Sequence, residues 1–134
     1  MSSTVLLDSN FLILPASHKI VVFREIENLL CMNVIFVTIQ PVINELKRLA
    51  KKPTKLGKKA SLALKFVSKC NILELDSKNI TKRNADDSIL DFSKSRKIIV
   101  ATTDIYLKKR LREMNIPVIY LRGHSQIKLD GHLE

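Results

Sequence analysis

Asp8 directly follows the apolar run 5–7, and Asp104 follows the run 98–101 after Thr102 and Thr103. Taken singly, either is as readily an N-cap or turn aspartate as a reactive group. Glu45 lies three residues after Val42 and four before Leu49, which sets a carboxylate close to an apolar helical stripe. Such a position is costly unless the charge is paired or coordinates a cation; the ordinary alternative is an ion pair with Lys47 or Arg48, or a side chain reaching out to water. Asp86 precedes Ile89, Leu90 and Ser93 by three, four and seven residues, at the edge of a core-facing stripe. Its neighbour Asp87 stands three positions after Asn84, where a carboxylate closes a capping box, so the structural role ranks first there. Asp91 is expected to pair at the surface with Lys94 or Ser95.

Four converging acids, Asp8, Glu45, Asp86 and Asp104, are a hard oxygen donor set for Mg²⁺ or Mn²⁺, because clustered carboxylates repel one another until a cation neutralises them. No set of His or Cys matches a zinc site. His18, His124 and His132 lack any metal-ligand spacing and are expected as exposed bystanders in loops or the tail. Cys31 and Cys70 are 39 positions apart with no second pair, and both are expected as buried thiols in a reducing compartment.

The elements that must carry these acids are legible as five strand-length apolar runs, 4–7, 34–37, 72–75, 98–101 and 118–121. Between them run stretches of helical spacing, such as Ile20, Phe23, Ile26, Glu27 and Leu30, then Val42, Ile43, Leu46, Leu49 and Ala50, then Leu62, Ala63, Phe66 and Val67. Continuous β-branched strands alternating with helices predict a parallel sheet covered on both faces. Pro41 fits the start of a helix, Asn84 caps a helix over 85–95, and Thr103 or Asp104 caps one over 106–114. Pro117 opens the last strand, where its missing N–H is tolerated. The segment 51–59 reads as a basic loop, and 122–134 as a polar C-terminal extension. In an open α/β sheet ligands bind beyond the carboxyl ends of the strands, near the point where strand order reverses, and Asp8 and Asp104 share that edge.

The chain has 134 residues, 46% hydrophobic and 27% charged, with 3 Gly and 4 Pro, which suits one globular domain and excludes disordered or fibrous classes. No apolar stretch approaches the roughly 18 residues of a membrane span, and the N-terminus has no basic segment followed by an apolar one, so a cytoplasmic protein is expected. Lys and Arg outnumber Asp and Glu by 23 to 13, a net charge of +10 that favours a polyanionic partner; the alternative, an anionic membrane surface, needs a basic amphipathic anchor or lipidation signal, and neither is evident. The basic residues cluster at Lys47, Arg48, Lys51, Lys52, Lys55, Lys58 and Lys59, and at Lys108, Lys109, Arg110 and Arg112. Such clusters hold phosphates without sequence preference, although a solvated helix face is the commoner fate of a lysine run. Aromatics are 5% of the chain with no Trp, which argues against an aromatic base-stacking platform of the RRM or OB kind.

The ordered set Val5-Leu6-Leu7-Asp8-Ser9-Asn10, Glu45, Ala85-Asp86-Asp87-Ser88-Ile89 and Val100-Ala101-Thr102-Thr103-Asp104 resembles the PIN-domain nucleases over roughly residues 4 to 121. The resemblance implies a three-layer α/β/α fold around a five-stranded parallel sheet in the order 3-2-1-4-5, with a nuclease domain over 1–121. It implies an endoribonuclease in which Asp8, Glu45, Asp86 and Asp104 bind one or two Mg²⁺ or Mn²⁺ ions and act as ligands rather than as the nucleophile. Asn10 and either Thr102 or Thr103 would support the first acid, and Asp87 would orient a water. The runs around Asp86 and Asp104, the latter followed by Leu107 and Lys108, look most like the ribosomal-RNA-processing branch, with pre-rRNA or ribosomal particles as partners. The VapC-type toxin branch shares the same acids, and family members often form homodimers. Rivals from other classes are a noncatalytic RNA-binding ribosome-assembly factor and a phosphoacceptor receiver domain using Asp76. The receiver lacks its acidic pair after the first strand and its lysine after the last, and a dehalogenase-type phosphatase would need an acid where Asn10 stands.

Overall fold

The apolar runs form strands at all five expected places. The structure, a computed structural model, describes residues 2–18, 20–74, 84–94 and 96–133. Along it lie β1 (Ser2–Leu7), α1 (Ser9–His18), α2 (Val22–Leu30), β2 (Asn33–Ile39), α3 (Gln40–Ala50), α4 (Lys55–Phe66), a 3₁₀ turn (Val67–Lys69) and β3 (Asn71–Leu73). They are followed by α5 (Ala85–Ser93), β4 (Ile99–Ala101), α6 (Ile105–Glu113), β5 (Val118–Arg122) and β6 (Gln126–Asp130). The expected end of the third strand at Leu75, the candidate phosphoacceptor Asp76 and the helix end at Ser95 lie outside the described residues.

The sheet order is β3-β2-β1-β4-β5-β6. Its first five strands are parallel in the expected 3-2-1-4-5 order, within three α/β/α layers, and β6 runs antiparallel to β5. The sheet therefore has six strands rather than five, because part of the polar stretch after residue 122 pairs with the edge. Gly123, at a φ of 65°, makes the return turn. Ile127 and Leu129 alternate onto the core between Gln126, Lys128 and Asp130, a period-2 pattern too short and polar to stand out in the sequence. Successive residues Val5, Leu6 and Leu7 are each fully buried, as a central strand with helices on both faces requires.

Two helices depart from the sequence reading. In α1 Phe11, Leu12, Ile13 and Leu14 are all buried, so no polar face marks a 3.6-residue period, and Pro15 sits inside the helix. In the stretch read as a basic loop, only 51–54 precedes α4, which carries Lys55, Lys58 and Lys59. Thr54 caps that helix by accepting from the Gly57 N–H at 3.2 Å. Gly57 is required because a Cβ there would lie 2.0 Å from the Lys52 carbonyl oxygen. Of the two thiols only Cys70 is buried, and burial pushes it up to about 11. Cys31 is exposed, at the left-handed C-cap of α2 with a φ of 53°. His18 ends α1 rather than lying in a loop, and its ring stacks on His124 with centroids 6.0 Å apart. Among the described residues no helix is long and apolar enough to cross a membrane.

Candidate active site

β1 and β4 are neighbours with Leu7 opposite Ala101, so Asp8 and Thr102 leave the sheet at one level. Their backbones continue the pairing: the Asp8 N–H donates to the Ala101 carbonyl and the Thr102 N–H to the Ile119 carbonyl, both at 3.0 Å. Both side chains are buried. The Asp8 carboxylate accepts from the Ser9 N–H at 2.8 Å on one oxygen, and from the Asn10 amide at 3.1 Å and the Thr102 hydroxyl at 2.8 Å on the other. Thr102 Oγ1 also lies 3.3 Å from Asn10 Oδ1, but its single proton belongs to the shorter contact with Asp8.

Asn10 is held in turn, its Oδ1 accepting from the Thr103 N–H at 2.9 Å. Of the two threonines expected behind the first acid, Thr102 therefore contributes its hydroxyl and Thr103 its backbone. Thr102 Oγ1 also accepts from the Asp104 N–H at 3.1 Å, linking the two strand-end acids through one hydroxyl. Asp104 is the N-cap of α6, and its Oδ1 accepts from the N–H groups of Tyr106 at 2.9 Å and Leu107 at 3.1 Å.

Glu45, half-buried on α3, accepts from Ser9 Oγ at 2.9 Å. Ser9 thus touches two acids, Asp8 through its N–H and Glu45 through its hydroxyl. It was not among the residues singled out from the sequence, where the available signal was a small hydroxyl residue next to a strand-end acid. Asn84 caps α5 by accepting from the Asp87 N–H at 2.8 Å, and the Asp87 carboxylate lies 3.7 Å from Arg110 Nη1. Asp91 meets Lys94 at 3.8 Å, one of its two expected partners.

The acids repel one another across the site. Burial pushes the Asp8 carboxyl up to about 6; the hydrogen bonds from Thr102 and Ser9 oppose the rise, and the charges of Asp86 and Glu45 add to it. Asp86 is raised by burial first and then by Asp104, Glu45 and Asp87, with Arg110 opposing. Asp8, Glu45, Asp86 and Asp104 thus share one field, although they come from the ends of β1 and β4, from α3 and from α5. Among the described residues no three His, Cys, Asp or Glu side chains form a ready-made metal cage. Both oxygens of Asp8, but only Oε2 of Glu45 and Oδ1 of Asp104, accept from protein donors among these residues. In donor chemistry the four acids fit a hard divalent cation, which would relieve the repulsion among them.

Of the basic residues, Lys47, Arg48, Lys51, Lys52, Lys55, Lys58, Lys109 and Arg110 are exposed and Lys59 is half-buried. Lys108 is engaged within the fold, 3.4 Å from Asp130 and 3.7 Å above the Tyr120 ring. A groove of about 640 Å³ between α5 and α6 adjoins the acids through Asp87 and Arg110, and is lined further by Leu90, Asp91, Lys94, Glu113 and Met114.

Residues 5–124 match the family described as PIN like domain. The chain is 35% identical over 128 residues to "Ribonuclease VapC4" of Methanocaldococcus jannaschii, covering 92% of this chain and 94% of that protein. Its fold is similar to the structure of the PIN domain endonuclease Utp24, with a TM-score of 0.78 and 26% identity over 98% of this chain and 93% of that one. VapBC2 from Rickettsia felis, bound to a DNA fragment from its promoter, shares the fold at a TM-score of 0.65 and 17% identity, covering 89% of this chain and 99% of that one.

Proposed function

The chain belongs to the PIN-like domain family, and on that footing we propose that it is a divalent-metal-dependent endoribonuclease hydrolysing RNA phosphodiester bonds. The observation that carries this reading is Asp8: a buried carboxylate at the carboxyl end of a central strand, held by three donors in a field shared with Glu45, Asp86 and Asp104. A group so placed is stabilised best by a bound cation.

In this reading Asp8, Glu45, Asp86 and Asp104 hold Mg²⁺ or Mn²⁺. When bound, the ion supplies Lewis-acid polarisation of the scissile phosphate and lowers the pKa of water for an in-line displacement. Ser9 aims Glu45, while Asn10, Thr102 and the Thr103 N–H keep Asp8 from rotating. Asp87, 3.7 Å from Arg110, would orient water rather than ligate. The exposed Lys47, Arg48, Lys51, Lys52, Lys55, Lys58 and Lys109 hold the phosphate backbone; Lys59 and Arg110 assist, and Lys108 serves mainly to fix α6.

The finer reading is maturation of ribosomal or other structured RNA in the cytoplasm, supported by the motif runs around Asp86 and Asp104. Likeness to a VapC ribonuclease over nearly the whole chain favours a second reading, a toxin-type ribonuclease. The test is cleavage of a structured and a single-stranded RNA with Mg²⁺ or Mn²⁺ by wild type, Asp8→Asn and Asp104→Asn. Cleavage lost in both variants and in EDTA, with RNA binding retained, supports the nuclease. Binding by wild type without metal-dependent cleavage supports a noncatalytic assembly factor instead. Growth arrest on expression, absent from Asp8→Asn, separates the toxin from the maturation enzyme.

A further inference from the structure

The chain has five Phe and two Tyr, and of these seven rings only that of Tyr106 is exposed, at 82% exposure. Tyr120 is half-buried beneath Lys108, and Phe36 and Phe66 each pack on Phe23. Ile105, the preceding residue, is 79% exposed. A lone exposed apolar side chain needs no explanation, but this pair is anchored at the acids. The Tyr106 N–H donates to Asp104, which fixes the first turn of α6 against the site. Tyr106 also stands four residues before Arg110, hence on the same face of α6, and Arg110 reaches Asp87 on α5. Side chains of a helix tilt toward its N-terminus, so the ring projects from the end of α6 that carries Asp104.

Resting on the nuclease reading above, we propose that Tyr106 is a nucleobase contact, stacking on an unpaired base of the strand whose phosphate lies at the acids, with Ile105 widening the apolar lip. The surroundings favour a nucleic acid over a protein partner. Asp104, Lys109 and Arg110 lie within about one turn of the ring, whereas the centre of a protein interface is depleted of charge. A single-stranded RNA instead alternates π-faces with phosphates, which matches one ring beside exposed Lys109 and Arg110. One ring reads one base, so the site is not a multi-base platform. A base in a duplex has both faces covered by its neighbours and offers none to Tyr106, so the contact selects unpaired nucleotides.

The chain has two tyrosines and no Trp, so tyrosine emission reports the contact directly, and Tyr120→Phe isolates Tyr106. The protein is titrated in EDTA with a short unstructured oligoribonucleotide and with the same strand annealed to its complement. The single strand is expected to quench emission in wild type and in Tyr120→Phe, and the duplex is not. Tyr106→Ala is expected to raise Kd for the single strand about 5- to 150-fold without changing duplex affinity, and Tyr106→Phe to bind like wild type. Single-strand affinity unchanged in Tyr106→Ala, or an equal loss for both RNAs, overturns the stacking contact and leaves the nuclease reading intact. A wild type that binds neither RNA, and cleaves none with metal, overturns both.

Discussion

Burial and hydrogen bonding act against each other at Asp8. Three donors favour its ionised form, yet loss of water and the nearby Asp86 and Glu45 push the carboxyl up from 3.8 to about 6. The metal-free folded state therefore binds this proton more tightly than the unfolded chain does. The stability it contributes is fully present below about pH 3.8 and is lost as pH rises through 6, on the order of 3 kcal/mol across the window. Urea unfolding in EDTA should show wild type losing stability between pH 5 and 7.5 relative to Asp8→Asn, and parallel profiles would exclude Asp8 as the titrating group. Added Mg²⁺ or Mn²⁺ should stabilise wild type more at pH 7.5 than at pH 5, because the cation competes with the proton. Ser9 offers a separate check, since among the described residues its hydroxyl hydrogen-bonds only Glu45. Ser9→Ala is expected to weaken metal-supported cleavage about 10- to 100-fold, while stability falls by only about 1 kcal/mol. Metal titrations of the cleavage rate beside urea melts measure both.

α6 shows how one side chain serves an element and a site together. Asp104 caps the helix through two backbone N–H groups while its charge contributes to the field at Asp86. Asn is as good a cap as Asp, and Ala is not. Asp104→Asn and Asp104→Ala should therefore be equally inactive, with the alanine variant about 1 kcal/mol less stable to urea; equal stabilities would remove the capping role. The far side of α6 is clipped to β6, where Lys108 and Arg112 meet Asp130 at 3.4 and 3.3 Å. Partly exposed ion pairs contribute little stability, but they restrict Lys108, so a lysine read from the sequence as a phosphate contact is partly committed to the fold. β6 was hidden in a polar tail and α1 in an apolar run without a period. Both depend on the sheet edge or the neighbouring helices for their stability, and local pattern registers neither.

A net charge of +10 makes salt the most direct probe of how RNA is held. Binding to a single strand should weaken linearly in log Kd against log salt, with a slope near 0.7 per phosphate neutralised. Lys51→Ala with Lys52→Ala, both exposed just before α4, should lower that slope by about 1.4, as measured by titration at several salt concentrations. An unchanged slope would remove this segment from the RNA surface. Much of the architecture was readable from the sequence: β-branched runs are strands, Asn84 is a cap, Thr103 or Asp104 caps α6, and acids end β1 and β4. These follow from backbone preferences and burial patterns that act within one strand or one helical turn. The partners of the polar groups were not readable. Thr102 meets Asp8 across 94 residues and Ser9 meets Glu45 across 36, contacts that exist only once the sheet and its covering helices have packed. The exposure of Tyr106 and the engagement of Lys108 belong with them, since whether a side chain faces water or another element is decided where layers meet.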